Sequence, residues 1–256
     1  MPSVLFLGSG TSHGVPMIGC ECAVCLSEDP RDNRMRPSVY LELESGTRVL
    51  IDTSTDLRQQ CLRFGVRHVD AVVYTHAHAD HILGFDELRR FNVMARKATP
   101  IYGDAATLGA LRRSFAYAFE PPAQLGGGVP EVEVHEITGP FALGGAQFLP
   151  LRVMHGRTPV LGFRVGRFAY LTDCNAIPDE TLAQLEGLEV LVLDALRHRP
   201  HPTHFSLSEA VEMAGRIGAG QTWFTHCCHD LPHAATNATL PDRMALAYDG
   251  LRFACS

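Results

Sequence analysis

The run Thr75-His76-Ala77-His78-Ala79-Asp80-His81 constrains this chain more than any other stretch. Four potential metal ligands follow the apolar, strand-like segment Ala71-Val72-Val73-Tyr74 and precede a helical pattern that starts at Ile82. Alternate residues of an extended segment point the same way, so His76 and His78 are expected to share one ion. Asp80 and His81, in the turn that follows, are expected to face a second. Imidazole with carboxylate suits zinc, iron or manganese. A histidine-rich surface loop is the plain alternative, but clustered His and Asp at a strand-to-helix junction is the pattern that ligation requires. Two ions need further ligands, and His155, Asp173 and His226 each close a β-rich run (149–154, 168–172 and 222–225). Singly, each is an ordinary polar residue at a sheet rim; the shared position makes them candidates.

The chain around this run alternates strand and helix patterns. Strands are expected at 4–7, 38–43, 48–51, 71–74, 131–137, 146–153, 162–171, 190–193 and 222–224, and helices at 56–64, 82–93, 105–119, 179–185 and 207–217. Ser206 with Glu209 forms a capping box for the last helix, whose Ala210, Val211, Met213, Ala214 and Ile217 lie near one face. Short alternating strands punctuated by helices in both halves predict an α/β fold, an αββα sandwich of two mixed β-sheets flanked by helices. A length of 256 residues suits one domain over 1–256. Residues 120–130, with Pro121-Pro122 and Gly126-Gly127-Gly128, form the longest expected loop, either a solvated connection or a lid.

Composition narrows the partners. A formal charge of −6 argues against a broad nucleic-acid surface, leaving at most small nucleotides, whereas two dications would make the site itself attractive to a small phosphorylated substrate. No apolar stretch is long enough to span a bilayer, and the N-terminal residues lack the basic lead of a signal peptide, so no membrane partner and a cytoplasmic location are expected. The eight cysteines should then be reduced. A homodimer is compatible with the sequence, which is silent on it.

Cys20, Cys22 and Cys25 sit on one Gly-led loop. Three thiols this close favour a closed tetrahedral zinc site, with the fourth ligand from elsewhere: His229 first, Cys227 and Cys228 as rivals. If His229 serves, one short segment reaches both metal sites, through His226 and His229.

These residues together resemble the metallo-β-lactamase superfamily, whose HxHxDH motif is matched by His76, His78, Asp80 and His81. The resemblance implies that His76, His78 and His155 hold one ion, that Asp80, His81 and His226 hold the other, and that Asp173 bridges them. It also implies that Asp52, in Ile51-Asp52-Thr53, supports a ligand from behind; on position alone a turn role is equally open. The Gly8-Ser9-Gly10-Thr11 and Gly14-Val15-Pro16 segments, the cysteine loop and Tyr248-Asp249-Gly250 narrow the match to the phosphodiesterases that open phosphoribosyl 1,2-cyclic phosphate, with a more distant likeness to transfer-RNA 3′-processing nucleases. That likeness implies a dinuclear phosphodiesterase acting on a small cyclic or nucleotide-like phosphodiester. A metal-bridging hydroxide would attack phosphorus, with Asp80 in the centre and His204 as general acid. The implied cofactors are two divalent ions, zinc or manganese, and one structural zinc. His198 and His201 share the loop of His204 and are rival acids; Arg197 and Arg199 stand where they could steer phosphate, and His13 is a further contact candidate. His68, His135 and His233 read as surface or packing residues. Two alternatives are a thioester or lactone hydrolase with the same ligands and a non-catalytic carrier in cofactor synthesis, which the full set of seven ligand candidates disfavours.

Overall fold

The computed structural model describes residues 2–120 and 128–255. Fourteen strands among them form two seven-stranded mixed sheets. In chain order the first half supplies β1 (Ser3–Gly8), β2 (Ser38–Glu42), β3 (Arg48–Ile51), β4 (Ala71–Val73), β5 (Thr99–Gly103) and β6 (Val132–Glu136). The second supplies β7 (Phe141–Leu143), β8 (Ala146–His155), β9 (Thr158–Val165), β10 (Phe168–Leu171), β11 (Val190–Asp194), β12 (Gln221–Thr225), β13 (Met244–Leu246) and β14 (Arg252–Ala254). The sheet orders are β14-β1-β2-β3-β4-β5-β6 and β13-β12-β11-β10-β9-β8-β7. Each sheet is antiparallel up to its β3 or β10 and parallel beyond.

Strand periodicity builds the layers. On β1, Val4 and Phe6 join a core that also takes Val190 and Val192 of β11, so that core lies between the sheets. The intervening Leu5 and Leu7 face a second core beneath the helices Leu57–Phe64 and Leu88–Ala95. Leu191 and Leu193 face a third, closed by the helix Leu207–Ile217. This is the expected αββα sandwich. The last helix starts at the expected capping box, with Ser206 N donating to Glu209 Oε2 at 2.8 Å.

Several boundaries differ from expectation for local reasons. The run 162–171 is two strands joined by a hairpin at Gly166-Arg167, where Gly166 takes a left-handed φ of 57° that its two-residue turn exploits. The helix expected over 82–93 is broken: Ala79–Ile82 stops, and Leu88–Ala95 begins after a short 3-10 turn. Gly84 packs on the Ser54 carbonyl so closely that any Cβ there would collide with it. The pattern over 105–119 likewise divides at Phe115. Strands β5, β7, β13 and β14 are not among those expected; β7, β13 and β14 have three residues each, and β5 carries Pro100, which reads against a strand. Residues 121–127 of the expected 120–130 loop lie outside the described residues.

Candidate metal centre and acid site

The histidine run leaves β4 and folds into the helix Ala79–Ile82, with Asp80 and His81 buried in its turn. Its strand end is pinned to both sheets. Tyr74 N donates to Tyr102 O at 2.8 Å in the first sheet, and Leu161 N of β9 donates to Thr75 O at 3.0 Å from the second. His155 is the last residue of β8; Asp173 lies just beyond β10 and His226 just beyond β12. Asp52, Asp173 and His226 all adopt left-handed backbone, with φ of 64°, 55° and 61°. Such non-glycine geometry costs energy and is held only where the surroundings over-determine it.

These seven side chains converge. Potential ligand atoms of His76, His78, His155 and Asp173 lie within 4.8 Å of one another, as do those of Asp80, His81, Asp173 and His226. Asp173 belongs to both sets. His81 Nε2 is 3.4 Å from Asp80 Oδ2 and 3.3 Å from Asp173 Oδ1; His226 Nε2 is 3.5 Å from Asp80 Oδ2 and 3.4 Å from Asp173 Oδ2. His76 Nε2, His81 Nε2, His226 Nε2 and Asp80 Oδ2 are buried without a hydrogen-bond partner. An unsatisfied buried polar atom costs about 1–3 kcal/mol. Several orphans facing one another are the arrangement expected of ligands, so this donor set fits two cations.

The opposite edges of His76, His81 and His155 are occupied, whereas His226 Nδ1 is buried without a partner. His81 Nδ1 donates to Asp52 Oδ2 at 2.7 Å. Asp52 also accepts from Thr75 N at 2.8 Å and Thr75 Oγ1 at 2.7 Å. With that hydroxyl hydrogen committed, His76 Nδ1 donates to Thr75 Oγ1 at 3.0 Å, and His155 Nδ1 donates to Thr203 O at 2.8 Å. Fixing Nδ1–H in this way leaves each Nε2 lone pair free for a metal. Asp52 thus backs His81 and Thr75 from just beyond β3. Burial drives the Asp52 carboxyl up against the pull of His81. Burial would also raise Asp80 and Asp173, but His81 and His226 outweigh it and hold both carboxyls below the usual range.

His204 lies beside this cluster. Its ring is 4.6 Å from that of His226, nearly parallel at 9°, and 4.6 Å from that of His155. His204 Nδ1 donates to Asp194 Oδ2 at 2.7 Å, and Asp194 Oδ2 also accepts from Cys174 N at 2.8 Å. Sequence reasoning missed Asp194. The only signal was an acidic residue closing the apolar run 190–193, the same feature that singled out Asp52. Of the rival acids, His201 lies 5.1 Å from the His204 ring and His198 is exposed. His13 and His68 are exposed, His135 stacks on Tyr102 and His233 is buried against Tyr248.

The β-lactamase superfamily domain, as a family model, matches residues 47–227, which include every one of these cluster residues. The chain belongs to the metallo-β-lactamase superfamily. A solved diphosphatase of the PhnP family superposes with a TM-score of 0.92 at 47% identity, covering 98% of this chain and 96% of that one. Among curated proteins, an octanoyltransferase of Porphyromonas gingivalis is 38% identical over 251 residues, 96% of this chain but 50% of that protein. The chain thus spans half the length of that relative. Zn(2+)-bound PqqB from Methylobacterium extorquens shares the fold, with a TM-score of 0.79 at 18% identity over 98% of this chain and 99% of that one. The protein has the metallo-β-lactamase fold, with His/Asp clusters able to bind metal.

This superfamily member carries a second cluster. His229 Nδ1 lies 3.2, 3.5 and 3.5 Å from Sγ of Cys20, Cys22 and Cys25. Tetrahedral zinc with bonds of about 2.3 Å to sulfur and about 2.1 Å to nitrogen would set them about 3.6 Å apart. The rivals lie elsewhere: Cys227 is buried with its thiol toward Phe224 O, and Cys228 Sγ accepts from Asp230 N. The Cys25 amide donates to Cys22 Sγ and lowers that thiol to about 7, favouring the thiolate a metal needs. The fully buried Arg34 guanidinium donates to Cys228 O at 2.8 Å and Leu231 O at 2.5 Å, clamping the segment that presents both His226 and His229. No helix among the described residues is long and apolar enough to cross a membrane.

Proposed function

We propose that the protein is a dinuclear metal-dependent phosphodiesterase acting on a small cyclic or nucleotide-like phosphate, with His204 as general acid. The observation that carries this reading is the pairing of two ligand sets joined through Asp173 with a histidine, backed by a buried carboxylate, directly beside them. His76, His78 and His155 would hold one ion, Asp80, His81 and His226 the other, and Asp173 would span both. Zinc or manganese suits the donors, and zinc suits the cysteine cluster. Divalent ions there supply Lewis acidity, lowering the pKa of water and offsetting phosphoryl charge.

The chain's own residues do the rest. Asp52 and Thr75 hold His81 and His76 in the ligating tautomer. Asp194 orients His204 through Nδ1, leaving Nε2 to deliver a proton to the departing oxygen. The 47% likeness to a diphosphatase supports phosphorus as the centre attacked. We place the protein in the cytosol, where its eight free cysteines stay reduced and available to zinc.

A second reading, hydrolysis of a thioester or lactone, draws support from the octanoyltransferase likeness. One experiment separates the two: metal content per chain, with turnover of bis(p-nitrophenyl) phosphate and of an octanoyl thioester. The expected result is about three ions per chain, from the two clusters and the thiol site, with phosphodiester turnover. Asp80→Ala should abolish turnover while circular dichroism stays unchanged. Thioester turnover alone would overturn the phosphodiesterase reading.

A further inference from the structure

The helices Leu57–Phe64 and Leu88–Ala95 bury their inner faces in the core beneath the first sheet, through Leu57, Leu88 and Phe91. A groove of about 440 Å³ runs between them on the solvent side. The first helix lines it with Arg58, Cys61 and Leu62, and the second with Arg90, Phe91 and Met94, so each offers side chains one turn apart. Leu62 and Met94 are 64% and 41% exposed, so folding leaves apolar side chains uncovered in a concave surface. Scattered exposed apolar residues are ordinary. Two that share one groove, also lined by the buried Val66 and Phe91, give another chain something to cover.

The charge of this face opposes that of the chain. Against a formal charge of −6, residues 57–67 carry Arg58, Arg63 and Arg67, and residues 88–97 carry Arg89, Arg90, Arg96 and Lys97, with no acid in either stretch. Arg89 is paired with Asp86 at 3.2 Å and Lys97 with Asp70 at 3.4 Å. Arg58, Arg67 and Arg90 line the groove, are exposed, and have no ion-pair partner among the described residues. Glu87 is the one acid lining it and offsets a single charge. The groove thus joins apolar surface to a cationic border, and guanidinium pairs with carboxylate through two parallel hydrogen bonds.

We propose that this groove docks an acidic amphipathic helix of another protein, with its apolar residues against Leu62 and Met94 and its carboxylates against Arg58, Arg67 and Arg90. The proposal is independent of the phosphodiesterase reading. Eight residues of helix span about 12 Å, so about two turns of the partner engage, anchored by apolar residues at i, i+3, i+4 and i+7. RNA fits the groove less well. Its unpaired bases need exposed rings to stack on, and the ring that lines this groove, Phe91, is buried. A second copy of the chain fits less well too, because a twofold axis through the groove would set the same arginines face to face.

The test follows fluorescence anisotropy of two labelled helical peptides of about 16 residues, added to the metal-loaded protein. Both carry Leu at i, i+3, i+4 and i+7; one has Glu at the flanking positions and the other Lys. The Glu peptide should bind, more weakly as salt is raised, and the Lys peptide should not. Arg90→Glu and Met94→Asp should each weaken binding of the Glu peptide by at least about tenfold, with the thermal melt unchanged. Arg58→Glu, on the other helix, keeps the test decisive should Leu88–Ala95 not tolerate substitution. Failure of the Glu peptide to bind, equal binding of the two peptides, or binding that survives in the variants overturns the proposal. So does a single-stranded RNA that binds in place of the Glu peptide and is lost in Arg90→Glu, or a dimer in sedimentation that Met94→Asp splits.

Discussion

Asp52 lies one residue beyond β3 in the first sheet, and Asp194 is the last residue of β11 in the second. Each accepts from Nδ1 of a buried histidine at 2.7 Å, His81 in one case and His204 in the other. Beyond that shared bond the pairs diverge. Asp52 is also bound by the Thr75 amide and hydroxyl, and His81 Nε2 is shut in between Asp80 and Asp173. Asp194 takes one further donor, Cys174 N, and its histidine stands at the wall of a solvent-reachable cavity with a side chain 10% exposed. The same dyad thus serves two purposes. On the proposed function, the dyad enclosed by carboxylates would present a fixed lone pair to a cation, and the one at the cavity wall would present a proton to a substrate.

Single substitutions should pull the two dyads apart. The largest effect belongs to His204→Ala, which removes the proposed proton donor and should lower kcat by about 10²–10⁴-fold while metal content, read by mass spectrometry, stays at the wild-type value. Asp194→Ala should act in the same direction but less severely, since the ring remains and only its orientation is lost. Asp52→Ala belongs to the other class. It should weaken metal affinity by about 10–100-fold, measured by competition with a chromophoric chelator. Metal loss from Asp194→Ala, or full metal affinity in Asp52→Ala, would erase the distinction.

The contrast also explains what the sequence could disclose. The run at residues 75–81 was legible because ligation demands several His and Asp at close spacing, a pattern that packing alone does not produce. His155, Asp173 and His226 were legible as strand ends, although their left-handed φ at two of the three positions was not. Asp194 was overlooked because a lone acid at a strand end carries no local signature; only its partner, ten residues on in His204, gives it meaning. The same holds for the thiol cluster, where spacing singles out three candidate ligands and tertiary contact alone distinguishes His229 from Cys227 and Cys228. The sandwich was readable from alternation in strands such as β1 and β11, whose two faces serve different cores. The outlying β13 and β14, three residues each, had too few positions to establish a period.

A third buried carboxylate sharpens the comparison by lacking a histidine. Asp249 accepts from Ser9 N at 2.9 Å, Ser9 Oγ at 2.8 Å and Met35 N at 2.7 Å, tying the N-terminal turn to the end of the chain. Those neutral donors do not compensate for burial, which pushes its carboxyl up to about 6. In the unfolded chain the same group titrates near 3.9. Between these values Asp249 holds more proton in the folded state than in the unfolded one, so its contribution to stability falls as pH rises from about 4 to about 6 and then levels off, on the order of 1 kcal/mol per pH unit. Asp249→Asn should flatten that slope in urea melts of the protein across this range. If the slope survives the substitution, another group carries it, and the three donors from Ser9 and Met35 offset the burial of Asp249 in full.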